Sequence, residues 1–82
     1  MRHKMEEILK EELRRLAITT RDELNLTQRQ MAESLEMSES SYSDIETGRT
    51  MCGTLTTTLL LSKQNDPGVA LKQINEKLHK NF

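Results

Sequence analysis

"LTQRQMAESLEMSESSYSDIETGR", residues 26–49, decides how this chain is read. Met31, Ala32 and Leu35 recur at helical spacing, and so do Tyr42 and Ile45. Between the two groups Glu36-Met37-Ser38 reads as a turn. Thr27 can cap the first segment, because its hydroxyl accepts from an orphan backbone N–H one turn in. Gln30, at the third helical position, completes a capping box. Ser38 stands in the same place before the second segment, with Ser41 three residues on. Gly48 suits the left-handed residue that commonly ends a helix. The stretch predicts helices over about 28–35 and 39–47. It is also acidic: Arg29 and Arg49 stand against Glu33, Glu36, Glu39, Asp44 and Glu46.

Upstream, residues 2–24 predict one long helix. Met5, Leu9, Leu13, Leu16 and Thr20 recur every three or four positions, with Ile8, Ala17 and Leu24 beside them. Glu7–Lys10 and Glu11–Arg15 are spaced to support its exposed face. The β-branched run Ile18-Thr19-Thr20 lowers helix propensity and marks where a kink or break is expected. Downstream, residues 49–53 read as a loop. Thr54 can cap a helix over about 55–64, with Leu55, Leu59 and Leu60 inward. Asp66-Pro67-Gly68 reads as a strong turn. A last helix over about 69–79 places Val69, Leu71, Ile74 and Leu78 on or near one stripe. The expectation is an all-α chain of five helices and no strand, one domain over residues 1–82.

The composition narrows the function classes. Eighty-two residues suit one compact domain with a modest core. Tyr42 and Phe82 are the only aromatics, which disfavours a β-sandwich and a stacking platform for single-stranded nucleic acid. The net charge of −1 and pI near 6.1 lack the global signature of a nucleic-acid binder, so such a function must come from local arrangement. Cys52 stands alone, so there is no internal disulfide and no zinc-ligand spacing; it reads as a reduced thiol in a loop. His3 and His79 read as isolated surface histidines. Leu59-Leu60-Leu61 is far too short to cross a bilayer. Charged Arg2, His3 and Lys4 with no apolar block after them are unlike a secretory signal, so the cytoplasm is expected. No nucleophile stands beside a base, no glycine-rich loop could cradle a phosphate, and no carboxylates pair in an apolar cleft. The expectation is no enzyme, no metal, no cofactor and no small-molecule ligand.

Two short helices joined by a short turn match the helix-turn-helix motif. Leu26-Thr27-Gln28, then Met31-Ala32, Leu35, Met37-Ser38, Tyr42, Ile45-Glu46 and Gly48, resemble the XRE family of transcriptional regulators, the family of the lambdoid phage repressors and Cro. The motif covers residues 21–49, and the family's five-helix domain would cover about 13–80. The resemblance implies a lambda-repressor-like domain, here with an extended N-terminal helix, acting as a sequence-specific DNA-binding transcriptional regulator. Its first motif helix would cross the phosphate backbone and its second would lie in the major groove of double-stranded DNA. On that basis Glu39, Ser40, Ser43 and Asp44 are the base-reading positions. Thr27, Gln28, Ser38, Thr47 and Arg49 are the phosphate-binding positions, with Arg49 the best single candidate. Thr27 and Gln28 stand where the helix dipole favours a phosphate. Arg21 and Glu46 would form a structural salt bridge.

The chain departs from the family pattern at three places. Glu36 stands where glycine is usual, Tyr42 where Ile or Val is common, and Gly53 where proline is frequent. Glu39 and Asp44 would face a polyanion. A carboxylate can accept from cytosine N4, but neutralisation of phosphate would add little affinity. The DNA reading asks for a continuous positive rim from Arg29, Arg49 and Arg14 or Arg15. The acidic motif also suggests a rival: a protein-interaction module, antitoxin- or anti-repressor-like, on the same scaffold. A homodimer is expected from the resemblance, since two-fold partners read half-sites about one turn apart. Relatives commonly dimerise through the C-terminal helices. The stripe Met5–Leu9–Leu13–Leu16 either covers the core or forms a dimer seam.

Overall fold

A computed structural model describes residues 2–80. Met1, Asn81 and Phe82, which complete the expected 1–82 domain, lie outside the described residues. Among the described residues the chain is all-α, with five helices and no strand: α1 Arg2–Glu23, α2 Gln28–Ser34, α3 Glu39–Glu46, α4 Thr54–Ser62 and α5 Pro67–Lys80.

α1 buries Leu13, Ala17 and Thr20 along one face and runs unbroken through Ile18-Thr19-Thr20. The helix does not break at this weak spot, where a tertiary contact supports the low local propensity. Thr20 is 3% exposed, and its hydroxyl accepts from Gln64 Nε2 at 2.8 Å, so α1 is held from the far end of α4.

The core gathers Leu13 and Ala17 from α1, Met31, Ala32 and Leu35 around α2, and Tyr42 and Ile45 from α3. Cys52 and Leu60 close it, and Leu9, Leu16, Leu26, Met37, Leu59 and Ile74 pack around them. Each fully buried large side chain of this kind stabilises by about 1.5–3 kcal/mol. Cys52 lies buried in the loop before α4, and that burial pushes its thiol above the ordinary range.

Two C-terminal expectations need correction. α4 begins at Thr54, with Gly53 in the cap position and no side-chain cap bond. Its inward face is centred on Leu60, with Thr56 and Thr57 part-buried, and Leu55 is left 64% exposed. Leu55 and Leu60 are five residues apart and cannot share one narrow helix face; Leu60 takes the place in the core cluster with Cys52, Leu13 and Ala17. α5 begins at Pro67 inside the supposed turn. Proline has no N–H to lose at a first helical position. Asp66 Oδ1 accepts from the N–H groups of Gly68 (3.1 Å) and Val69 (3.4 Å) and so caps the helix. Ala70 and Ile74 face inward, whereas Val69 and Leu71 are exposed. α5 lies antiparallel on α1: Thr19 and Leu16 share a groove with Ala70 and Ile74, and Glu12 shares one with Lys77.

Candidate functional site

α2 and α3 are joined by Leu35, Glu36, Met37 and Ser38. Thr27 Oγ1 accepts from Gln30 N at 3.1 Å and Gln30 Oε1 accepts from Thr27 N at 2.9 Å, a complete capping box. At the other end Glu36 adopts φ +56°, and the N–H of Met37 returns to Ala32 O at 3.0 Å. Left-handed backbone costs a non-glycine residue about 1 kcal/mol. Burial of Met37 against the core offsets it and aims the chain into α3. Ser38 then accepts from Ser41 N at 3.2 Å and starts α3.

Tyr42, Ile45 and Glu46 point into the molecule. Glu39, Ser40 and Thr47 are therefore exposed on the opposite face, with Ser43 and Asp44 part-exposed beside them. The expected base-reading positions share this outward face.

Behind α3 lies a polar centre. Arg21 Nε donates to Glu46 Oε2 at 2.6 Å and Arg21 Nη2 to Oε1 at 3.3 Å, while Arg21 Nη1 donates to Leu26 O at 3.1 Å. Gln28 Nε2 donates to Glu46 Oε1 at 3.0 Å, and the Tyr42 hydroxyl donates to Oε2. Burial alone would raise the Glu46 carboxyl. Donors from Arg21, Tyr42 and Gln28 outweigh it and hold the group below the usual carboxylate range. The Tyr42 hydroxyl moves the other way, pushed up first by burial and then by its bond to Glu46. Glu46 therefore does not contribute a free charge to the outward face. Tyr42 and Gln28 were not legible as its partners from the motif, although the four-residue spacing of Tyr42 and Glu46 on one helix was a usable signal.

The phosphate candidates differ in what they have left to donate. Thr27 accepts through its oxygen and keeps its hydroxyl proton. Gln28 Nε2 uses one of its two N–H groups on Glu46. The Ser38 hydroxyl donates to Ser41 Oγ at 2.9 Å, and Thr47 Oγ1 donates to Ser43 O at 3.0 Å, so both protons already have acceptors. Arg49 is 76% exposed at the side chain, with Nη1 3.5 Å from Asp44 Oδ1.

That last contact belongs to a pattern. Every arginine of the chain has a carboxylate oxygen 2.6–3.6 Å away: Arg2 with Glu6, Arg14 and Arg15 with Glu11, Arg21 with Glu46, Arg29 with Glu33, and Arg49 with Asp44. Glu11, between two arginines, is held down to about 2 by their hydrogen bonds. The continuous positive rim expected from Arg29, Arg49 and Arg14 or Arg15 is instead a row of ion pairs. His3 is not isolated either, since its Nε2 lies 3.1 Å from Glu7 Oε1. Arg49 also lines a groove of about 300 Å³ with His3, Glu6, Glu7, Lys10 and Met51, which brings the first turns of α1 alongside the end of α3. Lys10, which the sequence marks only as a helix-face partner of Glu7, lines this groove as well.

No group of three or more metal-ligating side chains occurs among the described residues, and no helix there is long and apolar enough to cross a membrane.

A family model described as a helix-turn-helix domain covers residues 11–61, more than half of the chain. No curated protein and no solved structure matches.

Proposed function

We propose a function from one premise: the chain belongs to the helix-turn-helix domain family. On this reading it is a sequence-specific, DNA-binding transcriptional regulator of the XRE type. α3 enters the major groove and α2 crosses the phosphate backbone.

The observation that carries the reading is the division of α3 into two faces. Tyr42, Ile45 and Glu46 anchor it from behind, and Glu39, Ser40, Ser43 and Asp44 stand outward. Base readout needs donors and acceptors held on a rigid element, and the Arg21–Glu46–Tyr42–Gln28 centre supplies that rigidity. The outward chemistry is unusual for a DNA reader and selects its target. A carboxylate accepts from cytosine N4 and has no complement on thymine or guanine in the major groove, while the serines serve either bases or phosphates. Arg29 and Arg49, the arginines beside the reading surface, are each paired with a carboxylate, which lowers non-specific attraction. Arg49, Thr27 and Gln28 grip phosphates; Ser38 and Thr47 join once their hydroxyl protons turn from their present acceptors. The chain acts as one domain, as a homodimer on two half-sites, in the cytoplasm, with no cofactor and no catalytic role.

Selection of duplexes from a random pool, followed by anisotropy titration of the winners at low ionic strength, tests the reading. It predicts an enriched half-site containing cytosine and an affinity that falls with salt. A pool that never converges, with no salt-sensitive binding, overturns it.

A further inference from the structure

We infer that Asp44 and Arg49 form a coupled pair that makes the phosphate contact conditional on the base being read; this rests on the DNA-binding reading above. The geometry is specific. Arg49 Nη1 is 3.5 Å from Asp44 Oδ1. The two residues are also tied through the backbone, with Arg49 N donating to Asp44 O at 2.8 Å across Gly48, whose φ is +78°. The pair therefore spans the last turn of α3 and the short, constrained segment after it, and one partner is a groove-facing carboxylate while the other is an exposed cation at the end of α3. Glu39, the other groove-facing carboxylate, has no ion-pair partner among the described residues, so the coupling singles out Asp44.

The consequence follows from the pair's two alternatives. A phosphate that takes Arg49 leaves the Asp44 carboxylate without its cation in a groove lined by DNA. Where a cytosine N4–H₂ faces Asp44, that base replaces the lost donor, and Arg49 is free to bind the backbone. Where guanine or thymine faces it, with acceptors and no donor in the major groove, Asp44 keeps Arg49, and the phosphate contact is not made. Asp44 thus acts twice, as a base reader and as an internal competitor for a phosphate-binding arginine. Non-specific binding is suppressed without any loss of contact at the correct site.

The test uses the full chain on a mixed-sequence 24-base-pair duplex, roughly two turns long, with affinity measured across a series of salt concentrations. Wild type, D44N, R49Q, D44N/R49Q and E39Q are compared. D44N releases Arg49, so it tightens binding several-fold and steepens the slope of log affinity against log salt by about 0.9, the value of one added phosphate contact. D44N/R49Q loses the added slope and returns to that of R49Q, and E39Q tightens binding without steepening it. If D44N does not steepen the slope, or if the double variant keeps the steeper slope, the coupling is overturned, since the gain then comes from removing a negative charge and not from freeing Arg49. Salt-independent or absent binding by wild type and all variants overturns the DNA-binding reading itself.

Discussion

Arg21 Nε stands 2.6 Å from Glu46 Oε2 and ties the last turn of α1 to the last residue of α3. The Glu46 side chain is 7% exposed and the Arg21 side chain 26%, so the two partners are not equivalent. Removing the arginine strands a buried carboxylate; removing the glutamate leaves an arginine that still reaches solvent and Leu26 O. R21A is therefore expected to cost about 3 kcal/mol in urea unfolding, at the lower end for a broken buried pair, and more than E46A. R21M/E46M should recover much of the loss. A double variant as unstable as R21A would show that the centre matters through something other than its stranded charge.

The same carboxyl sets an acid limit. Its folded value lies below its unfolded one, so the unfolded chain binds the proton first. The stabilisation is complete above the ordinary glutamate value of about 4.3 and is lost as pH falls through the folded value. Urea midpoints measured from pH 7 to pH 3 should fall for wild type and stay flatter for E46Q. Equal slopes for the two proteins would rule Glu46 out as the source.

The left-handed residues make opposite predictions. Glu36 at φ +56° is strained by its side chain, and E36G should stabilise by up to about 1 kcal/mol. Gly48 is at φ +78°, and a Cβ there would meet only Arg14 Cδ at an ordinary 3.7 Å. G48A should therefore cost about 1–2 kcal/mol through the backbone alone. Thermal unfolding of both variants checks the pair, and a destabilising E36G would mean that Glu36 makes a contact that outweighs its strain.

Local chemistry was legible in the sequence where one residue and its near neighbours settle the outcome. The Thr27 capping box, the Ser38 cap and the helical spacing of Met31, Tyr42 and Ile45 are of this kind. The outcome was not legible where a distant residue decides. Thr20 is tied into the fold by Gln64, 44 positions on, which donates to it. Leu60 and not Leu55 joins the core cluster of Leu13, Ala17 and Cys52, and a leucine run carries no mark of which member does so. At the site, the outward face of α3 followed from periodicity. The partners of Glu46 and the pairing of Arg49 with Asp44 depend on how helix ends and loops converge, which spacing alone does not encode.

The rotation of α4 gives its own test. L60A should cost about 2–5 kcal/mol, the usual range for a truncated core leucine. L55A should change stability by no more than about 0.5 kcal/mol, as for most surface substitutions. Comparable losses for both would place Leu55 in a contact that the isolated chain does not make.

The central claim, that the outward face of α3 reads DNA, is most directly tested by following backbone amide resonances as a selected duplex is titrated into the protein. The account predicts the largest shifts at residues 39–49, with a second set at the start of α2, and little change along α5. Shifts confined to α5 and the first turns of α1, or none at saturating duplex, would contradict it.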